Sequence, residues 1–274
     1  MCGRYAASQK PEDLVRLFDV SGRDPQEALA GDHPNYNVAP TDRVPAVLDR
    51  PLRHSGDPVP VRQLRELRWG LVPSWAKSPE SAVKMINARS ETVAEKPAYR
   101  RAFLSRRCLL PADGYYEWVT ASGELDLEQQ GKRKRPRKQP YFVTPVDGSV
   151  MAFAGLYEFW RDPSVPQGDP SAWWATCTVL TTEAETDLLP DAAEGGPRSL
   201  ADIHPRMPVA LPADRWDSWL DPRHQDPDEL RELTSALPTG RHRAYPVGTA
   251  VSNVRNNGPQ LKDELAEPEL GTLF

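Results

Sequence analysis

The amino-acid sequence predicts an α+β fold in a single domain, built on a curved, mixed and mainly antiparallel β-sheet with short peripheral helices. The chain has 274 residues, of which 39% are hydrophobic and 27% are charged, so it can bury one large core. Prolines number 29, about twice their average share, and they exclude long helices. Candidate strands and helices follow one another without a regular βαβ repeat, which favours a mixed or antiparallel sheet.

The first helix is predicted at residues 11–20. Pro11 stands in its first turn, acidic residues follow it, and Leu14, Leu17 and Phe18 fall on one face. Further short helices are predicted at 96–105, 213–220 and 227–237. Eight stretches rich in β-branched and aromatic residues predict strands, at 43–49, 66–72, 106–111, 114–119, 140–146, 150–159, 173–182 and 207–211.

Polar segments mark the loops and the end of the domain. Residues 121–140 are polar and basic and predict a loop insertion, while 161–172 and 191–199 are rich in proline, glycine and acids. Residues 259–274 are acidic and predict a frayed tail, so the domain is expected to span 1–258.

Composition bounds the compartment of the protein. The longest apolar runs are far too short to span a bilayer, and no secretory signal opens the chain. The three cysteines are widely spaced, which argues against a disulfide framework and for a reducing compartment. We therefore expect a cytoplasmic protein.

The charge is unevenly distributed along the chain. The net charge is −5, yet residues 84–107 hold seven Lys and Arg against two Glu. A basic stretch on an acidic protein can form a local anion site, because the field at close range depends on nearby charges. A solvated helix face is the alternative interpretation.

Cys2 becomes the N-terminal residue if Met1 is removed, and it then carries a free α-amine and a thiol on adjacent carbons. Such a 1,2-aminothiol condenses with an aldehyde to a Schiff base, which the thiol closes to a thiazolidine ring. Gly3 leaves room for a ligand, and Arg4 can meet an anion such as phosphate. An inert second residue is the alternative, and Cys2 alone does not decide between them.

Three further stretches carry polar groups suited to chemistry. In "MINARSET" an amide, a guanidinium and a carboxylate alternate, so an extended segment presents them on one face: Asn87, Arg89 and Glu91. Glu117 lies in an aromatic strand, where burial would suit it to general acid or base work, with a salt bridge to Arg107 as the alternative. His204 precedes a Pro-Arg-Met-Pro turn that could orient it, although a lone histidine is more often structural.

Nine motifs occur together in one order along the chain. They are MCGRYA (1–6), YNVAP (36–40), WGLVPSWA (69–76), INARSET (86–92), RRCLLPADGYYEW (106–118), PYF (140–142), TVLTT (178–182), IHPRMPV (203–209) and VSNVRNNG (251–258). In this order they closely resemble the SOS-response-associated peptidase (SRAP) family of abasic-site processing proteins, from residue 2 to about residue 258.

The resemblance implies a covalent activity. Members of this family lose Met1 and use Cys2 to trap the aldehyde of an abasic site in single-stranded DNA as a thiazolidine crosslink that shields the lesion. It implies that Asn87 holds the amine or the sugar, that Glu117 shuttles protons, and that His204 assists opening of the deoxyribose. Reversal of the crosslink and removal of the protein's own N-terminal peptide are implied as further, secondary activities of a lyase and a peptidase.

The resemblance also implies a concave DNA channel on the family's α+β fold. The expected partner is single-stranded DNA with abasic sites, and the replication machinery is a further candidate partner. We expect a monomer that binds no membrane, metal or cofactor and that is associated with the nucleoid when bound to DNA. Its expected DNA contacts combine phosphate ligands, pocket walls and stacking faces: Gly3, Arg4, Asn37, Pro40, Trp69, Trp75, Arg89 and Thr181.

Two other functions remain open at the level of sequence. The N-terminal "MCG" also begins the glutamine amidotransferases that use an N-terminal cysteine nucleophile, but the glutamine-binding residues of that class are not evident. A non-covalent binder of single-stranded DNA, with Cys2 incidental, is the second alternative. A zinc site of the three cysteines is disfavoured because no CxxC spacing exists, so Cys108 and Cys177 are expected in the core.

Overall fold

Strands make up most of the regular secondary structure. The computed structural model describes residues 2–21, 34–52, 57–120, 138–190, 192, 196–235 and 239–265. Within these ranges the strands are β1 Tyr5–Ala7, β2 Asn35–Val38, β3 Arg43–Arg50, β4 Val61–Trp69, β5 Asn87–Arg89, β6 Arg107–Ala112, β7 Gly114–Thr120, β8 Lys138–Pro145, β9 Met151–Arg161, β10 Trp173–Glu183, β11 Arg206–Pro208 and β12 His242–Pro246. The α-helices are α1 Pro11–Leu17, α2 Arg100–Ser105, α3 Leu200–Ile203, α4 Trp216–Leu220 and α5 Pro227–Thr234. No helix in the described ranges is long and apolar enough to cross a membrane.

The strands form two sheets. The first has five strands in the order β12-β8-β7-β1-β2, and all of its pairs are antiparallel. The second has seven strands in the order β11-β10-β4-β3-β6-β9, with β5 beside β10. Because β9 also pairs with β10, the strands β10, β4, β3, β6 and β9 close into a ring. Only β4 and β5 run parallel to β10 within this second sheet, and the closure hides edges that would otherwise be open.

The main core lies between the two sheets. Tyr5 of the first sheet packs edge-on against two rings of the second, Trp69 at 5.0 Å and Phe153 at 5.8 Å between ring centroids. A second core lies between the closed strands and the helices, and Phe103 packs there at 6.0 Å from Trp219. The N-terminal strand β1 is therefore an interior strand of the first sheet, paired on one side with β7 and on the other with β2.

Arg107 is a buried structural cation. Only 2% of its surface is exposed, and it donates hydrogen bonds to backbone carbonyls rather than to an acid. The acceptors are the carbonyl oxygens of Phe103, Trp219, Asp221 and His224, at 2.8, 2.6, 2.5 and 2.9 Å. Burial lowers its pKa to about 10, although Asp221 opposes this effect. The alternative in which Arg107 pairs with Glu117 is therefore wrong.

The predicted class is confirmed, and several details differ. The protein is a single α+β domain with mainly antiparallel strands and short helices, although the strands form two sheets where the sequence indicated one. Strands β1, β2 and β12 were not predicted, because they are short or proline-containing. The predicted strand 66–72 ends at Trp69, since Gly70 has a φ of +130° and a Cβ there would lie 2.7 Å from the carbonyl oxygen of Ala82. The predicted helix 96–105 begins only at Arg100, after a run of turns.

The end of the domain also differs from the prediction. Residues 259–265 pack against the fold: Leu261 is buried, and Lys262 Nζ lies 2.8 Å from the Asp113 carboxylate. Of the predicted loop 121–140, residues 138–140 belong to β8. Residues 121–137, 236–237 and 266–274, and the positions 191 and 193–195, lie outside the described ranges.

Candidate functional site

Cys2 lies just before β1, which pairs with β7 and β2 in the first sheet. Tyr5 of β1 pairs with Tyr115 of β7, and the backbone NH of Tyr116 donates to the carbonyl of Arg4 at 2.9 Å. This pairing holds residues 2–4 against β7, and the Cys2 side chain is fully buried in the core between the sheets. Burial raises the pKa of the Cys2 thiol well above its usual value, and the negative charge of Glu117 raises it further. The thiol is therefore protonated at neutral pH and needs a base to react.

Asn87 fixes the backbone of Cys2. It begins β5, which runs parallel to β10 with Asn87 opposite Val179. Its Nδ2 donates to the carbonyl oxygen of Cys2 at 2.7 Å. Its Oδ1 is buried and has no hydrogen-bond partner among the described residues. A buried acceptor of this kind costs free energy until a donor reaches it, so the amide is set for a further ligand next to Cys2.

Glu117 places a carboxylate beside the thiol. It lies on β7 with 7% of its surface exposed, and it shares a face of the strand with Tyr115, two residues away. That face packs into the core that contains Cys2. Burial raises the pKa of Tyr115 well above its usual value, and the charges of Cys2, Glu117 and Glu185 raise it further. The thiol, the phenol and the carboxylate therefore share one buried environment.

His204 is presented by the end of α3. Ser199 and Asp202 form a capping box at the start of this helix, and Leu200 and Ile203 pack into the core that contains Cys2. The backbone NH of Arg206 donates to His204 Nδ1 at 3.0 Å, and the carbonyl oxygen of Arg206 lies 3.1 Å from the same nitrogen. Both contacts are made by Nδ1, so the backbone of Arg206 fixes the orientation of the imidazole ring.

Arg206 ties the segment after β5 to the turn that carries His204. Its guanidinium binds Glu91 in a bidentate pair, with Nη1–Oε1 at 2.7 Å and Nη2–Oε2 at 2.8 Å. Nη2 also donates to the carbonyl oxygen of Thr181 at 2.6 Å. Glu91 therefore binds Arg206, and it does not lie on one face of an extended strand with Asn87 as the sequence indicated.

Three of the predicted DNA contacts are corrected by burial. Trp69 is fully buried, and its Nε1 donates to the carbonyl of Ile86 at 2.9 Å, so it offers no face to a base. Thr181 is fully buried under Arg206. Asn37 is 2% exposed, and its Nδ2 donates to the carbonyls of Val251, Asn253 and Asn256 at 3.2, 3.0 and 2.9 Å, so it holds a loop.

The other predicted contacts lie nearer the surface. The Trp75 side chain is 68% exposed, Arg89 is exposed, and Gly3 and Pro40 are half-buried. Arg4 is half-buried and has structural partners as well. Its Nη1 donates to Asn37 Oδ1 at 2.8 Å and to the carbonyl of Val251 at 2.9 Å, and its guanidinium lies 5.7 Å from the Trp118 ring.

Sequence reasoning missed several residues around this site. Tyr115 and Arg206 stand inside the motifs that were singled out, so their positions were available, but their contacts were not. Glu185 and His242 stand outside every motif, and only the fold brings them together. No group of three or more His, Cys, Asp or Glu side chains in the described part of the chain is arranged to hold a metal ion.

Comparison with known proteins decides the family. A family model described as "SOS response associated peptidase (SRAP)" matches residues 1–254. The chain belongs to the SRAP family. This membership decides against the amidotransferase alternative, which belongs to a different fold.

Several relatives of this SRAP-family chain are similar over nearly its whole length. The abasic site processing protein YoqW of Bacillus subtilis is 34% identical over 262 residues, covering 95% of this chain and 98% of the relative. YedK of Escherichia coli, with the same description, is 30% identical over 272 residues, covering 95% and 98%. HMCES of Xenopus tropicalis is 29% identical over 279 residues, covering 95% of this chain and 77% of the relative.

A solved structure confirms the architecture. The crystal structure of a Bacteroides thetaiotaomicron protein superposes with a TM-score of 0.73 at 22% identity, covering 96% of this chain and all of the other. At this identity the similarity concerns the fold alone.

Proposed function

We propose that this protein processes abasic sites in single-stranded DNA by forming a covalent crosslink through Cys2. The observation that carries the proposal is the pairing of Asn87 with Cys2, because the amide binds the Cys2 carbonyl while its buried oxygen has no partner within the described ranges. The relatives YoqW, YedK and HMCES are each named abasic site processing proteins, which supports the same substrate class.

The proposed reaction needs no oxidant and no cofactor. After Met1 is removed, the α-amine of Cys2 attacks the aldehyde carbon of the ring-opened deoxyribose, and water leaves to give a Schiff base. The Cys2 sulfur then adds to the imine carbon while its proton moves to nitrogen, which closes a thiazolidine ring. One C–N and one C–S bond form, and one molecule of water is lost.

Three side chains are proposed to transfer protons or to position the reacting groups. Glu117 takes the proton of the thiol, whose pKa is raised by burial, and returns a proton to the departing hydroxyl or the ring nitrogen. Asn87 Oδ1 accepts a hydrogen bond from the new α-amine and holds it toward the aldehyde. His204 donates from Nε2 to the ring oxygen of the closed sugar and so assists its opening.

DNA binding is proposed to depend on backbone and stacking contacts. Arg89 is exposed near Asn87 and suits a phosphate, while the exposed ring of Trp75 suits an unpaired base. Arg4 would bind a phosphate while its guanidinium keeps its hydrogen bonds to Asn37 and Val251. An abasic site has no base to read, so binding is independent of sequence and weakens with salt.

Further activities belong to the same proposal. Reversal of the crosslink uses the same groups in the opposite order, and removal of Met1 or of a longer N-terminal peptide is the peptidase reaction. The protein is proposed to act as a monomer associated with DNA, with the replication machinery as a partner and the concave surface near Cys2 as the DNA channel.

The test is a denaturing gel of the protein with a single-stranded oligonucleotide that contains an abasic site. The wild type is expected to give a heat-stable shifted band, whereas Cys2→Ala gives none and Cys177→Ala, which removes another buried thiol, keeps it. A variant that retains Met1 is expected to lack the band, because its amine is no longer next to the thiol. Binding without any heat-stable band would favour the non-covalent alternative.

A further inference from the structure

A buried contact between Glu185 and His242 joins the two sheets next to the site. Glu185 lies two residues beyond the end of β10, and His242 is the first residue of β12, the edge strand of the first sheet. His242 Nδ1 lies 3.2 Å from Glu185 Oε1, with side-chain exposures of 13% and 7%, and the two atoms are in close contact but are not aligned for a hydrogen bond. Glu185 Oε2 accepts from the backbone NH of Gly240 at 3.2 Å. One carboxylate therefore contacts the first residue of β12 and accepts a hydrogen bond from Gly240, which lies just before this strand.

The backbone around Glu185 holds the segment that carries His204. The carbonyl oxygen of Glu185 accepts from the NH of Ala201 in α3 at 3.0 Å. The NH of Ala184 donates to the carbonyl of Pro205 at 3.1 Å. The two bonded residues, Ala201 and Pro205, lie on either side of His204 in the sequence. The position of His204 is therefore fixed relative to residues 184–185.

The inner face of the first sheet connects this contact to Glu117. His242 shares a face of β12 with Ala244, which packs against the core that contains Cys2 and Tyr115. The negative charges of Glu185 and Glu117 both act on Tyr115. Tyr115 therefore lies in the shared field of the proposed proton shuttle and of the Glu185–His242 contact.

We propose that Glu185 and His242 are positioning residues that set the distance between His204 and Glu117. The backbone of Ala184 and Glu185 binds the His204 turn and α3, and the Glu185 side chain contacts the sheet that carries Glu117. Loss of the side-chain contact frees residues 184–185 and the His204 turn from β12, so His204 moves relative to Cys2. This inference rests on the proposed crosslinking function, and it adds two residues that no motif of the sequence indicated.

The experiment separates positioning from DNA binding and from folding. Crosslinking is measured under single-turnover conditions with abasic single-stranded DNA, and affinity is measured with the same strand carrying a tetrahydrofuran analogue that has no aldehyde. Glu185→Ala is expected to slow crosslinking about tenfold or more with affinity within about twofold of wild type, because a small displacement of a reacting group is costly. Glu185→Gln keeps an acceptor for Gly240 and is expected to recover to within about threefold of the wild-type rate.

A matched control is available in the same chain. His224 and Glu229 form a second histidine–carboxylate contact, with Nε2–Oε2 at 2.7 Å, at α5 and away from Cys2. Glu229→Ala is expected to leave the crosslinking rate unchanged. An equal loss of rate in Glu229→Ala and Glu185→Ala would overturn the proposal, as would a loss of affinity in Glu185→Ala that accounts for its whole loss of rate.

A measurement that does not depend on activity tests the positioning role even if the proposed function is wrong. The imidazole resonances of His204, assigned with His204→Gln, are expected to shift in Glu185→Ala and to stay in place in Glu229→Ala. Unmoved His204 resonances with an unchanged rate would overturn the proposal. If Glu185→Ala does not fold, His242→Gln leaves the Gly240 contact intact and is expected to give the same direction of change. A wild-type protein that forms no adduct refutes the proposed function, and the resonances then still decide the positioning role.

Discussion

The substitution Asn87→Ala tests the proposed positioning of the N-terminus most sharply. In the structure it removes a 2.7 Å hydrogen bond from Nδ2 to the Cys2 carbonyl, and it also removes the buried Oδ1 that is proposed to accept from the α-amine. The first bond contributes about 1 kcal/mol, and a charge-assisted bond to the amine contributes about 1.5–3 kcal/mol. If both act in the transition state, the sum of about 3 kcal/mol corresponds to a rate about 100-fold lower.

The assay is single-turnover crosslinking on a denaturing gel, with thermal unfolding followed in parallel. Because Oδ1 has no partner in the described protein before the amine is formed, the free energy of unfolding is expected to change by only about 1 kcal/mol. Gln225→Ala removes a similar amide–carbonyl bond, from Nε2 to the Pro222 carbonyl at 3.0 Å, and serves as the control with an unchanged rate. An Asn87→Ala rate within about threefold of wild type would refute the reasoning.

Four further predictions follow from individual side chains. Glu117→Gln is expected to slow crosslinking by at least about tenfold while affinity for analogue-containing DNA is kept, and an unchanged rate contradicts its proton role. Trp75→Ala is expected to weaken binding of single-stranded DNA about tenfold, measured by fluorescence anisotropy, because one stacked base contributes about 1–3 kcal/mol; equal affinity contradicts the stacking face. Arg107→Met removes the donor that binds four backbone carbonyls, those of Phe103, Trp219, Asp221 and His224. It is expected to lower the free energy of unfolding, measured in urea, by about 4 kcal/mol, and a loss below about 1 kcal/mol contradicts this role. Burial raises the pKa of Glu91, but the hydrogen bonds and charge of Arg206 outweigh it, so the net pKa lies below its usual value. A folded-state pKa below the unfolded one adds stability that is present above about pH 5 and is lost on acidification, so Glu91→Gln is expected to flatten the acid limb of the stability profile, and an unaltered limb argues against the pair.

The general fold could be predicted because its signals are local. Strands such as β3, β9 and β10 are long enough for their β-branched and aromatic residues to dominate, and α1 carries Pro11 at its start. The closure of the second sheet could not be predicted, since it depends on β10 pairing with both β9 and β4 across distant parts of the chain. For the same reason the missed strand β1 became visible only through its pairing with β7.

The residues of the candidate site could be predicted from local motifs, whereas their burial could not. Cys2, Asn87, Glu117 and His204 were indicated by motifs, and the structure places Asn87 on the backbone of Cys2. Trp69 and Trp75 share one motif, and the sequence could not say that only Trp75 is exposed, because burial of Trp69 depends on Tyr5 packing against it from the other sheet.

Contacts between residues distant in sequence were beyond prediction. A salt bridge between Arg107 and Glu117 was one alternative, but the partners of Arg107 are four backbone carbonyls, which the sequence does not indicate. Glu185 and His242 are separated by more than fifty positions and meet only because β12 and the end of β10 lie beside each other.

The most direct test of the central claim is the intact mass of the protein after incubation with abasic single-stranded DNA. The account predicts a species with the mass of the chain without Met1 plus the oligonucleotide less one water, formed by the wild type and absent in Cys2→Ala. A heat-stable adduct of Cys2→Ala, at the mass of that chain plus the oligonucleotide less one water, or an unmodified wild-type protein with a free N-terminal Cys2, would contradict it.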